Sequence, residues 1–500
     1  MQCVRARVLT LAAVLSVAAA VLGQAAKAPV TIQDVFGRDL TTVGITLVDW
    51  EGPIANPAAR LAVAPALRLY VPSRVTLRTD SPLLQFNLFS ELGPEGATKT
   101  LFLEQKGKPA EFLMSALPTA AGDYLLTVAV DDANEHHVEL EIPIHVVTMK
   151  RARTADSPAP LKITVDYSHD PSDLFEDAKC RRIFEQAASA WEYYLADPGF
   201  DEVEAGSEKS WIFDLGGFES GHEVTNANRY KGYLLYAQGI EGPEARSTGA
   251  ASMAGGRQTV GGRRTGLRRS GTVAMEITGN YNRMGWQMLN ADEDYWRASN
   301  QSDVLHDFYS IARHEMGHAL AFHRVHPAFS ALISGGVLHD ADVTRYLGRE
   351  PSVNDSEHFY DTIDPVSRVG AFGNEYGGDF PRKRWLLTKF DLLVAKAVGY
   401  ALQDTAPFWP LAMEMPEEPV SLVLGEPAVI GVRAVGGIPA YRFSVKSGSL
   451  PSGLKLDSFT GRIEGTPREA GEFEVELELR DNDPAEPVVL GAVKLVVKGP

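Results

Sequence analysis

The chain has 500 residues, 44% of them hydrophobic, and a formal net charge of −17. That length allows about three or four domains, and the hydrophobic share is ordinary for a globular chain that fills real cores. The acidic balance argues against a nucleic-acid partner, because most of this surface would repel a phosphate backbone. Two cysteines, Cys3 and Cys180, provide no disulfide framework.

Residues 1–25 read as a signal peptide. Arg5 and Arg7 precede the apolar run Val8 to Leu22, and Gly23-Gln24-Ala25 suits a small-residue cleavage site. The run is short for a stable membrane span, so the expectation is an exported, soluble protein. Residues 28–149 carry short alternating runs at Val43 to Val48, Arg68 to Val71, Leu83 to Phe89, Leu101 to Leu103, Tyr124 to Val130 and Val138 to Val147. Turn-rich pieces separate them, as in an immunoglobulin-like β-sandwich. Such a domain could bind carbohydrate or a cell-surface partner, act as a prodomain, or serve as a spacer. Residues 150–160, KRARTADSPAP, have linker composition.

Residues 161–405 read as α+β. A strand is expected over Leu161 to Asp166 and a helix over Leu174 to Leu195, with Ile183, Phe184, Ala187, Trp191 and Leu195 on one face. Cys180 lies in that helix without a nearby histidine and reads as a packing residue. Further strands are expected at Trp211 to Leu215, Gly232 to Ala237 and Thr272 to Ile277. Between them, Ala254 to Gly271 carries Arg257, Arg263, Arg264, Arg268 and Arg269 without a phosphate-loop frame. It reads as a surface loop, or as a contact for an acidic substrate.

The sharpest feature follows. Residues 314–318 are His-Glu-Met-Gly-His, within an apolar periodicity running from Val304 to Phe322. Ser302-Asp303 offers an N-cap. On a helix His314 and His318 share one face, about 5–6 Å apart, a spacing that lets two imidazoles bind one zinc ion. Glu315 then lies beside them as a general base, and the chemistry implied is metal-assisted hydrolysis. His323 would lie on the opposite face if the helix continued, and a local break would be needed to bring it to the same metal.

The run HEMGHALAFH resembles the zinc helix of the metzincin metallopeptidases, whose longer pattern is HExxHxxGxxH. Here Ala321 holds the glycine position and Arg324 the third-histidine position. The segment Asp355 to Phe359, then Ile363-Asp364-Pro365, then Leu387 through Tyr400 resembles a bacterial, leishmanolysin-like branch in which an insert precedes the third histidine. That resemblance implies His358 as third zinc ligand, with His323 the alternative, and Tyr360 as a possible oxyanion donor. Metzincins also place a methionine turn beneath the metal. No methionine occurs between Met316 and Met413, and Val366 to Phe372 occupies the corresponding place.

Residues 416–500 close the chain. Gly436 to Ser444, Ser447 to Leu456, Thr460 to Pro467 and Ala470 to Leu479 alternate glycine- and proline-rich turns with short strands. This resembles the bacterial "putative Ig", cadherin-like domains. Arg480-Asp481-Asn482-Asp483-Pro484 is either a polar turn or a Ca2+ site.

The expected architecture is therefore a metzincin-like α+β zinc protease domain flanked by N- and C-terminal immunoglobulin-like β-sandwich domains. The expected activity is that of a secreted zinc metalloendopeptidase acting on protein or peptide substrates. Two alternatives are a non-catalytic adhesion or surface-binding protein with a degenerate protease domain, and a zinc hydrolase of a non-peptide amide.

Overall fold

The computed structural model describes residues 28–500 apart from 67–68, 70, 87–97, 106, 151–154, 216, 241–248, 253–258, 261–262, 265–266, 278–285, 288–305, 356, 360–361, 373–383, 417–418, 484–486 and 500. The proposed signal segment, residues 254–258, 261–262 and 265–266 of the arginine-rich loop, and Tyr360 lie outside the described residues. No helix among the described residues is long and apolar enough to cross a membrane.

The first domain is a two-sheet sandwich. One sheet runs Val30–Asp34, Ala59–Pro65, Ala110–Ala116, Leu84–Gln85; the other runs Ile45–Trp50, His137–Met149, Gly122–Asp131, Ser73–Thr79, Thr98–Leu103. Ser73–Thr79 shows why. Its side chains alternate, with Val75 and Leu77 buried and Arg74 and Arg78 exposed. The inward residues of both sheets, Ile32, Val63, Leu77, Met114, Leu126, Val128 and Ile142 among them, form one apolar core.

The middle domain has a four-stranded sheet in the order Ile163–Asp166, Tyr233–Ile240, Ser270–Glu276, Gly249–Ser252. The first three strands are parallel and the last is antiparallel. Tyr233–Ile240 is buried along its whole length, as expected for a central strand covered on both faces. The helix Ala178–Tyr194 packs its apolar face, from Cys180 through Ile183, Phe184 and Trp191, into the core that also receives the helix Phe308–Leu320. This core is not closed off from the first domain. Val48, Trp50 and Ile54 belong to it, as does Ile438 from the last domain. Backbone bonds continue the join: Ala55 N–H donates to Leu387 O (2.8 Å) and Ala58 N–H to Val366 O (2.9 Å).

The last domain is a smaller sandwich. A four-stranded sheet of Val420–Val423, Val488–Lys498, Gly471–Arg480 and Arg442–Gly448 faces a three-stranded one of Ala428–Gly431, Arg462–Gly465 and Leu454–Leu456. Gly461 and Gly453 show the need for glycine at its turns. Both have positive φ, and a Cβ on either would stand within about 2.4 Å of a backbone carbonyl.

Candidate metal centre

The helix Phe308–Leu320 starts at Asp307, whose carboxylate accepts from Ser310 N–H (3.3 Å) and Ser310 Oγ (2.5 Å). The sequence expectation of a cap at Ser302-Asp303 is thus displaced to the acidic residue immediately before Phe308. Asp307 also takes a buried two-pronged bond from Arg384, Nε to Oδ2 and Nη2 to Oδ1, both at 2.9 Å. Bidentate, charge-assisted bonds of this kind fix angle as well as distance. The backing helix contributes Trp191, whose Nε1 donates to Arg313 O (2.9 Å). At the other end, Tyr233 Oη donates to Ala319 O (2.6 Å) and Tyr400 Oη to Leu320 O (3.2 Å), so two phenols cap carbonyls that a helix end leaves open. The helix ends without a glycine. Ala321 leaves it at φ −146, so the chain turns out of the helix without a positive φ at that position.

His314 and His318 meet His358 at the mouth of this helix. Nε2 of His358 lies 3.1 Å from Nε2 of His314 and 3.1 Å from Nε2 of His318. The three donor nitrogens lie within 4.8 Å of one another. Imidazole nitrogens at about 2.0–2.1 Å from a tetrahedral zinc stand about 3.3 Å apart, so the spacing suits one ion. Hydrogen bonding alone cannot account for it. His318 donates Nδ1–H to Phe322 O (2.7 Å), a bond from which we assign its tautomer, and this leaves a lone pair on Nε2. One proton on His358 Nε2 could serve only one of its two neighbours, whereas a cation serves all three. Burial favours neutral rings. It holds His314 well below its ordinary value, His318 down at about 3, and His358 down at about 4, with the neighbouring imidazoles adding to the effect at His314 and His318.

Glu315 is 8% exposed and has no hydrogen-bond partner among the described residues. Burial alone pushes its carboxyl up to about 8. His323 is not in the cluster: its Nδ1 accepts from Val325 N–H (3.0 Å) in the turn after the helix.

The floor of the centre is Phe372, the last residue of Val366 to Phe372. Its ring stacks on His314 (4.3 Å between centroids, 15°) and on Phe322 (4.1 Å, 19°), and meets His318 edge-on (4.8 Å). Phe372 N–H donates to Asp391 Oδ1 (2.8 Å). Asp391 is fixed in turn by a capping box with Thr388 at the start of the helix Lys389–Val398. Gly317 makes room for this ring: a Cβ there would come to 2.5 Å from Phe372 Cε2 and 2.9 Å from Trp191 Cζ2. Trp385 closes one side, edge-on to His314 at 5.1 Å, with its N–H on Ser310 Oγ (2.8 Å). Sequence reading set Val366 to Phe372 in the place of the turn beneath the metal without singling out Phe372, and it missed Trp385, Arg384 and Asp307.

At the possible calcium stretch, Asp481 Oδ2 accepts from Ile438 N–H (2.6 Å) and Oδ1 from Asp483 N–H (3.0 Å). Asn482 Oδ1 faces Arg60 Nε (3.4 Å) and Asp483 faces Lys389 (3.9 Å). These groups tie the last domain together and to its neighbours. Of the arginine-rich loop, Arg269 is engaged by Glu208 (3.4 Å) and by Asp201 O (3.2 Å).

Residues 413–489 match the family model described as "Putative Ig domain". No curated protein matches the chain. Among solved structures, the chain is similar to a putative alpha-galactosidase from Bacteroides fragilis, at 22% identity over 17% of this chain and 17% of that one, TM-score 0.15. The chain thus spans about a sixth of that protein's length. It is also similar to protocadherin gamma B2 extracellular cadherin domains 3–6, at 10% identity over 94% and 77% of the two chains, TM-score 0.17. A third is the periplasmic chaperone SfaE, at 10% identity over 49% and 99%, TM-score 0.15. These superpositions are too loose to carry a functional argument. The family match and the two facing sheets establish that this mostly β, multidomain chain ends in an Ig-like domain.

Proposed function

We propose that the chain is an exported, metzincin-like zinc metalloendopeptidase. The observation that carries the reading is the convergence of the His314, His318 and His358 ring nitrogens within 4.8 Å of one another, the first two on a helix that also carries Glu315, buried and without a hydrogen-bond partner among the described residues. Burying an ionisable group without compensation costs stability, and such groups cluster at functional sites. A zinc ion held by His314, His318 and His358 would supply Lewis acidity and lower the pKa of a water molecule toward neutrality. Glu315, whose carboxyl a nearby cation would bring back toward its ionised form, would accept a proton on a carboxylate oxygen from water attacking a scissile carbonyl and pass it to the departing amine nitrogen. His318, fixed by Phe322 O, and His314, held between Phe372 and Trp385, supply donors that need no rearrangement to bind. The order strand, helix, strands and then metal helix, with a mixed sheet behind, supports the metzincin resemblance.

The test is elemental analysis of the purified protein together with a chelator-reversible peptide-cleavage assay. One zinc per chain and abolished cleavage in Glu315→Gln with zinc retained are expected. Full hydrolysis by that variant would reject the mechanism. An absence of both zinc and cleavage would favour the adhesion alternative. His358→Ala is expected to lose metal and His323→Ala to keep it. Cleavage of only non-peptide amides would move the reading to that class of hydrolase.

A further inference from the structure

We infer that Arg324 is a positioning residue: it clamps the loop that carries His358 against the end of the metal helix. This rests on the metal-centre reading above. Two of the three nitrogens share one rigid helix, but the third comes from a loop forty residues downstream of His318, so the site is only as good as the seating of that loop.

The loop Asn354 to His358 is closed on itself. Asn354 Oδ1 accepts His358 N–H (2.8 Å), Asn354 N–H donates to His358 O (3.1 Å), and Glu357 adopts φ 61. These bonds fix His358 relative to Asn354 and say nothing about where the loop sits on the helix. The loop's flanks are seated by backbone bonds, Val353 N–H to Gly336 O (2.8 Å) and Phe359 N–H to Phe372 O (3.5 Å), and by side chains from two directions. From inside, Phe359 is fully buried and packs edge-on to Phe322 (6.2 Å) and Phe390 (5.0 Å). From outside, the single guanidinium of Arg324, four residues past the helix end, reaches three residues of the loop. Its Nη2 donates to Asn354 O (3.0 Å) and lies 3.8 Å from Asp355 Oδ1, and its Nε lies 3.8 Å from Glu357 Oε1. A planar fork with five donors in fixed geometry can address a carbonyl and two carboxylates on different edges at once, and is better preorganised for this than a point-charge ammonium.

An exposed ion pair on a rigid surface is worth little. Here the pair instead sets how often His358 is in register with the other two histidines. Apparent metal affinity scales with that competent fraction, and a metal site tolerates only about 0.5 Å of ligand displacement. A charge-assisted bond to a carbonyl, discounted for exposure, corresponds to about a tenfold change in that fraction.

The experiment measures zinc affinity of the full chain by competition with a chromophoric chelator, alongside thermal unfolding of chelator-stripped protein. Arg324→Ala should bind zinc about tenfold more weakly, and Arg324→Lys should fall between it and the parent. Metal-free Arg324→Ala should unfold at the parent's temperature, because the clamp serves the site and not the core. Equal zinc affinity in parent and Arg324→Ala overturns the proposal, as does an equal loss of stability without metal. A parent that binds no zinc sinks the metal-centre reading itself, which this design separates from the clamp. Should Arg324→Ala fail to fold, Glu357→Gln carries the same prediction at about two- to threefold, and unchanged affinity in that variant overturns it.

Discussion

Glu315 should be a destabilising residue in the metal-free protein, and the size of the effect follows from its burial. Its carboxyl is raised from 4.5 to about 8, with burial as the cause. A raised carboxyl means that the folded state binds more protons than the unfolded one between those values. Stability is therefore fully present below about pH 4.5, falls as pH rises, and levels off above about pH 8. A shift of this size corresponds to roughly 4 kcal/mol at pH 8, an upper-end figure given partial solvent access to an 8% exposed side chain. Glu315→Gln is close in shape to the protonated acid and does not titrate. Chelator-stripped Glu315→Gln should match the parent near pH 4.5–5 and exceed it by several kcal/mol at pH 8. The assay is urea unfolding of both proteins at the two pH values, read from the transition of the middle domain. The three histidines drop out of the comparison. Their values are lowered by burial, His318 to about 3, His358 to about 4 and His314 well below its ordinary value, so their contribution is lost as pH falls below about 6.5, in parent and variant alike. Parallel stability-versus-pH curves for parent and variant would refute the reasoning. So would a variant less stable than the parent at pH 8.

Gly317→Ala should fail at the floor of the site: its Cβ would press to 2.5 Å from the Phe372 ring, so we expect about 1–3 kcal/mol of destabilisation and weakened zinc binding, measured by unfolding and chelator competition. Trp50→Ala should cost about 3–5 kcal/mol, because Trp50 sits in the middle-domain core although its strand belongs to the first sandwich; thermal unfolding that leaves the middle domain unchanged would contradict this. Removing residues 28–149 should for the same reason yield an unfolded or aggregated remainder, read by circular dichroism and gel filtration, and not an activated enzyme.

What could be read from the sequence follows the range of each interaction. His314, Glu315 and His318 were legible because one helical turn brings them together whatever the rest of the chain does. Alternation likewise revealed strands at Tyr124 to Val130 and Val138 to Val147, within the observed Gly122–Asp131 and His137–Met149, where Leu126, Val128 and Val130, and Leu140, Ile142, Ile144 and Val146, are buried. Ala110–Ala116, by contrast, reads AEFLMSA, a composition that favours helix; pairing on both sides, with Ala59–Pro65 and Leu84–Gln85, overrides that preference. His358 is the intermediate case. Nothing local distinguishes a loop histidine as a donor, and only the family layout pointed to it. Phe372 and Arg324 mark the limit. Neither stands at a motif position that calls for its residue type, and each acts through partners dozens of residues away in sequence. Local spacing places the two histidines that share a helix, then, while the seating of His358 beside them is a tertiary property. Arg324 stands at the pattern's third-histidine position and Phe372 in the stretch where the resemblance sets a turn beneath the site, yet in neither place does the pattern call for the residue type found.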